Sequence, residues 1–452
     1  MKQKKLIVNS THLIMLSFIL AAFVGSILLS LPVSSASGQS VRYIDALFTA
    51  TTSICVTGLV TLPTVSTWSV FGQIVILLLI QIGGLGIITI MSAILISFNR
   101  RLGLKSRILI HDAFNLNSLS GIVIFLKKVV IGTFIVEGIG ALMYMTVFIP
   151  QYGLRGIWIS VFNSVSAFCN AGIDIMSENS LCDYAVNPMV NLTTSMLVIL
   201  GGIGYIVWWD VIRVTRNIRT QKLRCFSYLT LQSKIALSST AILLLGGALL
   251  FFIFEYNNPL TIKDLSLFDK IQVSFFQSVT TRTAGFASVP QQNLTNASSV
   301  VALFLMFIGG SPVGTAGGVK TVTMAAVLFG ALAAIKNKED VSLFSRRISK
   351  QAISKAASVI TVSFMIMFIS TVLLSAVTDA QILDVAYETV SATATVGLTR
   401  DLTPSLNLWG KIVIIVTMYL GRVGPISLLV AFNIKNEKKN IIKDPIEKIN
   451  VG

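Results

Sequence analysis

Charge is what this sequence has least of. Of its 452 residues, 12% are Asp, Glu, Lys or Arg, against roughly 25% in an average soluble chain. That is too little charge for an ordinary soluble enzyme, and too much hydrophobicity for a disordered chain. Histidine is nearly missing: only His12 and His111 are present, they form no metal-spaced pair, and neither receives a role. The four cysteines, Cys55, Cys169, Cys182 and Cys225, do not have zinc-site spacing. No supported nucleophile and no nucleotide fingerprint occurs, so the chain is not expected to be an enzyme or to carry a cofactor. What is there instead is apolar: 54% of the residues, with a mean hydropathy of +0.81. The reading is an integral membrane protein.

A net charge of +16 would suggest nucleic acid in a soluble protein, but its placement argues for no nucleic acid here. Lys and Arg gather at Lys2 to Lys5, Arg100 to Lys128, Arg213 to Lys234, Lys336 to Lys355 and Lys435 to Lys448, between long apolar stretches. Cytoplasmic loops carry this excess, so both termini are assigned to the cytoplasmic side of a cell membrane. The apolar run from Leu13 to Val33 reaches the roughly 20 residues a spanning helix needs. A cleavable signal has a core of only about 7–15, so this run is read as a retained helix despite the small residues Ser34 to Gly38. Cys225 falls in a basic loop, which disfavours a disulfide there. A Cys169–Cys182 bridge on the outer side is left open.

The strongest signal is internal repetition. Each basic loop precedes a long apolar run, a short semi-polar stretch with a glycine, and a second long apolar run. The short stretches are FTATTSICVTGL, FNSVSAFCNAGI, FFQSVTTRTAGF and YETVSATATVGL, with shared glycines Gly58, Gly172, Gly285 and Gly397. Those glycines are 114, 113 and 112 residues apart. An aromatic stands ten residues before each (Phe48, Phe162, Phe275, Tyr387), and a large apolar residue follows each (Leu59, Ile173, Phe286, Leu398). A second block follows at Gly83-Gly84, Gly201-Gly202, Gly309-Gly310 and Gly421-Arg422.

The fold class that follows is an all-α polytopic membrane protein of four tandem helix–re-entrant loop–helix repeats around a pseudo-fourfold pore, with eight crossings. First helices are expected near 13–33, 129–149, 235–254 and 357–377, and second helices near 71–97, 190–212, 298–335 (interrupted) and 408–432. The repeats are drawn at 1–100, 101–220, 221–345 and 346–434, followed by a basic cytoplasmic tail at 435–452. The Ser/Thr-rich stretches are too short to span, so they enter from outside and turn back.

Non-helical backbone at membrane depth is tolerated only where protein buries it or water reaches it. Four such turns around an axis can present a ring of carbonyl oxygens that replaces the hydration shell of a monovalent cation, and glycine leaves the axis open. The predicted ion-binding positions are Val56, Thr57 and Gly58; Asn170, Ala171 and Gly172; Thr283, Ala284 and Gly285; and Thr395, Val396 and Gly397. Packing glycines would lie within the long apolar runs instead. The third second-helix carries GGSPVGTAGGVKT, with five glycines and one proline between Gly309 and Gly318; glycine costs about 1 kcal/mol and proline about 3 in a helix interior, so the helix should break. It is no P-loop, because Val319 separates Gly318 from Lys320. Arg422 puts a charge inside an apolar run, where charges are costly and usually face a cavity.

In combination, the four glycine turns, the glycine-rich break and the late arginine resemble the Trk/Ktr/HKT superfamily of potassium transporters over essentially the full length. The bare core of eight crossings resembles the Ktr membrane subunits most. The resemblance implies a channel-like, gated potassium uptake protein, with glycine in all four turns as the potassium-selective pattern. It implies a gate below the filter, assigned to Gly309, Gly310, Ser311, Pro312, Gly314, Thr315, Gly317, Gly318 and Lys320, with Arg422 beside it repelling cations. It further implies a homodimer and a cytosolic nucleotide-binding, KtrA-like regulatory ring. Sodium as a coupling or stimulating ion is left open. Glu137 is read as a structural pairing group, and Arg282 and Glu388 as groups near the filter with no assigned orientation. Asp174 and Asp401 are read as solvated charges. A secondary carrier for another small solute is the alternative, and a non-transporting scaffold the third.

Overall fold

The computed structural model describes residues 10–87, 89–90, 92, 121–216, 225–338 and 340–424. The basic segments at Lys2 to Lys5 and Lys435 to Lys448, His111, and the boundaries drawn near 100, 220 and 434 lie outside the described residues. Helices come in an order of long, short, then apolar. Helix α1 is Ser10–Ser30, α2 Tyr43–Cys55 and α3 Val70–Leu85. Helix α4 is Ile122–Tyr152, α5 Arg155–Phe168, α6 Pro188–Ile203 and α7 Tyr205–Thr215. Helix α8 is Leu231–Glu255, α9 Leu267–Thr280, α10 Asn296–Phe307 and α11 Thr321–Ile335. Helix α12 is Lys350–Val377, α13 Ile382–Ala394 and α14 Leu408–Val423.

Side-chain caps start many of these helices. Ser69, Asn187, Thr295 and Asn407 each accept a backbone N–H in the first turn of α3, α6, α10 and α14, and such a cap contributes about 1 kcal/mol. Two long helices begin in the same way, at Thr230 and Ser349. Three described helices are long and apolar enough to cross a bilayer alone: His12–Ser30, Leu231–Glu255 and Lys350–Val377. Their outer faces leave Leu16, Leu20, Ile242, Leu245, Phe364 and Phe368 exposed, as lipid rather than water as solvent would allow.

The short helices are buried among the others. Helix α2 packs on α1 and α3, α5 on α4 and α6, α9 on α8, and α13 on α12 and α14. The groups also meet each other: α3 touches α5, α6 touches α9, α10 touches α13, and α14 returns to α2. Phe48, Phe162 and Tyr387, from the aromatic column, are fully buried.

Two expectations need correction. The second apolar run of the second repeat is not a single straight helix: α6 and α7 meet at Gly204 with a bend of 97°, while α3 and α14 end on Gly86 and Gly424. All three glycines have φ between 85° and 95°, a conformation that stops a helix and that costs glycine least. The chain is also not purely helical. Val341–Leu343 pairs antiparallel with Arg346–Ile348 through a turn at Phe344 and Ser345, both with positive φ, as two-residue hairpin turns require.

Candidate functional site

Each short helix ends in the same backbone figure. The residue two before the glycine is left-handed, with φ of 56° at Val56, 60° at Asn170, 60° at Thr283 and 51° at Thr395. The glycine is left-handed again, with φ of 98° at Gly58, 66° at Gly172, 83° at Gly285 and 98° at Gly397. Three β-branched residues in that region are uncommon, and they mark a conformation held by its surroundings. The intervening Thr57, Ala171, Ala284 and Val396 are buried.

The four turns meet. A Cβ on Gly58 would lie 2.4 Å from the Ala171 carbonyl oxygen, one on Gly172 2.5 Å from that of Ala284, one on Gly285 2.6 Å from that of Val396, and one on Gly397 2.3 Å from that of Thr57. The contacts run through the turns in chain order and close on the first. No side chain fits at any of the four, so the backbone faces the centre. The hydroxyls of Thr57 and Thr395 are buried without a partner.

Hydroxyls six residues before the glycine steady three of the turns. Thr52 Oγ1 accepts the Gly58 N–H at 3.0 Å, Ser391 Oγ accepts the Gly397 N–H at 3.0 Å, and Ser166 Oγ accepts the Ile173 N–H at 3.1 Å. The third turn has Val279 in that column, and Thr280 Oγ1 donates to the Phe286 carbonyl at 2.6 Å instead. Sequence reasoning missed these residues, although the column was legible in three of four copies.

The predicted break lies against these turns. Between α10 and α11, Ile308 and Val319 form a parallel bridge, with the Gly309 N–H bonding the Val319 carbonyl at 3.0 Å. The Ser311 N–H donates to the Gly202 carbonyl at 2.8 Å, the Thr315 N–H to that of Gly201 at 3.1 Å, and the Tyr205 N–H to that of Val313 at 3.0 Å. Thr315 Oγ1 donates to Asn170 Oδ1 at 2.7 Å, and the Gly317 N–H donates to Thr283 Oγ1 at 3.2 Å. A Cβ on Gly317 would sit 2.0 Å from Thr395 Oγ1. The loop therefore touches the innermost residue of three of the four turns. Gly309, Gly310, Gly314 and Gly318 are likewise in close backbone contact, and Ser311 bonds Thr321 at 2.9 Å. Pro312 presents its carbonyl to Gly204, 2.3 Å from where a Cβ would stand.

Three cationic side chains converge here. Arg422 donates to the Thr315 carbonyl at 2.7 Å and to the Gly83 carbonyl, so it bridges the loop and α3 through carbonyls rather than a carboxylate. Lys320 folds back to the Ala316 carbonyl at 2.6 Å. Arg282 reaches the Gly309 carbonyl at 3.1 Å. Glu137 accepts from Gln81 at 3.3 Å and faces the Cys169 thiol, so its partners are neutral. Cys169 and Cys182 are both free thiols, which removes the bridge left open above; Cys182 turns to the Ala287 carbonyl at 3.5 Å, and burial, with Asp183 adding, pushes its thiol up to about 11. Asp174 is buried rather than solvated and accepts the Met176 N–H at 3.3 Å, while Asp401 is exposed.

A family described as TrkH, cation transport protein, matches residues 8–444. The potassium/sodium uptake protein NtpJ of Enterococcus hirae is 40% identical over 96% of this chain and 95% of its own length. The Ktr system potassium uptake protein B of Bacillus subtilis is 38% identical over 94% and 93%. The crystal structure of the potassium transporter TrkH from Vibrio parahaemolyticus superposes with a TM-score of 0.74 at 15% identity, over 95% of this chain and 86% of that one.

Proposed function

The chain belongs to the TrkH family of cation transport proteins, a multi-pass membrane family and not an enzyme family, and from that premise we propose that it carries potassium into the cell through a central pathway in the plasma membrane. The observation that carries the reading is the closed ring of four glycine turns, whose backbones face one another with no room for a side chain. Carbonyls so arranged suit a dehydrated monovalent cation. We infer four repeats about a pseudo-fourfold axis, eight crossings with both termini inside, and the twelve residues from Val56 to Gly397 named above as the selectivity filter. The loop from Gly309 to Lys320 is the gate in this reading, because it hydrogen-bonds the filter's innermost residues. Arg422 holds it from the side. Relatives named as parts of a Ktr system support a partner subunit, and the family resemblance extends the proposal to a homodimer and a cytosolic nucleotide-binding ring. Sodium as an accompanying ion belongs to the same proposal, since one relative is named a potassium/sodium uptake protein.

Rubidium uptake into liposomes that hold the purified chain tests this, with potassium, sodium, lithium and amino acids as competitors. Potassium should compete most strongly. Competition by amino acids would favour the solute carrier, and silence with no cation binding would leave only a scaffold.

A further inference from the structure

Glu388 lies on α13, nine residues before Gly397, and is fully buried. Its carboxylate accepts from Thr399 Oγ1 at 2.7 Å and from the Thr403 hydroxyl. Thr399 is the second residue after Gly397, and its oxygen also accepts the Leu402 N–H at 3.2 Å. The next residue, Arg400, turns the other way: it binds Asp384 at 2.7 Å, Ser299 at 2.7 Å and the Gln291 carbonyl at 3.1 Å. Asp384 and Glu388 are four apart, hence on one face of α13. One face of this short helix thus holds two successive residues, Thr399 and Arg400, of the segment that leaves its own turn.

The other turns lack this grip. The column of Glu388 holds Thr49, Asn163 and Phe276, and the column of Thr399 holds Val60, Asp174 and Ala287. Asn163 is buried with neither side-chain polar atom partnered. Hydrogen bonds to a carboxylate are roughly twice as strong as neutral ones, so the fourth turn is the one most firmly set from behind.

We propose that Glu388 is a positioning residue that sets the outward carbonyls of the fourth turn through Thr399 and Thr403, and so tunes cation selectivity without touching the ion. This rests on the filter reading above. Glu388→Met removes the acceptor, Thr399→Val removes a donor, and Glu388→Gln keeps the shape and one acceptor while cancelling the charge.

The readout is the ratio of rubidium to sodium uptake by the full-length chain in liposomes. Glu388→Met should lower that ratio at least about tenfold, the scale of a lost hydrogen bond to a charged group. Thr399→Val should lower it in the same direction, and the double variant should fall no further than Glu388→Met alone. Glu388→Gln, whose neutral hydrogen bonds are about half as strong, should recover part of the ratio. Additive losses, or no recovery by Gln, would mean that the charge acts directly on the ion and would overturn the proposal. Should Glu388→Met fail to fold, Thr399→Val alone decides: an unchanged ratio rejects the role. If the unaltered chain shows no preference between the two ions, the filter reading falls first and this proposal with it. A selective wild type whose variants stay equally selective rejects only the proposal.

Discussion

Two stretches of irregular backbone meet at the centre of this molecule, and they are held in opposite ways. The four glycine turns draw much of their support from their own segments: the Thr57 N–H bonds the Thr52 carbonyl, the Val396 N–H that of Ser391, and the Ala284 N–H that of Thr280. The loop between α10 and α11, beyond its own Gly309–Val319 and Lys320–Ala316 bonds, borrows many of its partners. Gly201, Gly202, Asn170, Thr283, Arg282 and Arg422 all lie outside it in sequence. A self-supported turn keeps its shape when its neighbours move, whereas a loop held by others is released when they let go. That difference suits a filter and a gate, and it assigns different consequences to damage in each.

The sharpest way to break the comparison is at the ring. In Gly285→Ser the new Cβ would lie 2.6 Å from the Val396 carbonyl oxygen, on backbone with φ of 83°. Backbone must shift, and it shifts where carbonyls would coordinate. Preference for potassium over sodium should drop at least about tenfold, equivalent to about 1.4 kcal/mol of discrimination, as read by competition of rubidium uptake. Unchanged selectivity would remove Gly285 from the proposed filter while leaving transport intact.

Much of this was legible in the sequence, for identifiable reasons. Four copies of a glycine column at nearly constant spacing marked the turns, and five glycines with a proline marked the loop. The left-handed Val56, Thr283 and Thr395 were not legible, because β-branched side chains ordinarily avoid that conformation and only tertiary contact enforces it. The bend at Gly204 and the helix ends at Gly86 and Gly424 were missed for a different cause: apolar sequence continues past each, and a positive-φ glycine leaves hydropathy unchanged. Their column was present, two residues after the paired glycines. Arg282 and Glu388 could be seen but not oriented, since their partners Gly309 and Thr403 belong to backbone whose path the sequence does not give.

An intermediate effect is expected at the contact between the two regions. In Gly317→Ala the Cβ would sit 2.0 Å from Thr395 Oγ1 and 2.6 Å from the Ala394 carbonyl oxygen. The loop has the weaker local support, so it should yield while the turn stays. Rubidium uptake without any cytosolic partner should rise, by roughly fivefold to thirtyfold if one or two borrowed hydrogen bonds of about 1 kcal/mol each are lost, with the potassium preference kept. Loss of preference at unchanged rate would show that the turn, not the loop, gives way.

The smallest effect is expected within a turn. Thr52→Val removes the hydroxyl that accepts the Gly58 N–H, but leaves the Thr57 N–H on the Thr52 carbonyl. The third turn already has Val279 in that column and still reaches a left-handed Gly285, so the figure survives without the hydroxyl. Leaving one buried N–H unpaired costs about 1–3 kcal/mol, which thermal unfolding in detergent should register as a lower midpoint. Selectivity should stay within about twofold, since a loss well under 1 kcal/mol of discrimination is all that an intact ring permits. A collapse as large as that of Gly285→Ser would show that each turn depends on its single side-chain bond, and the proposed filter would then be no better supported than the loop against it.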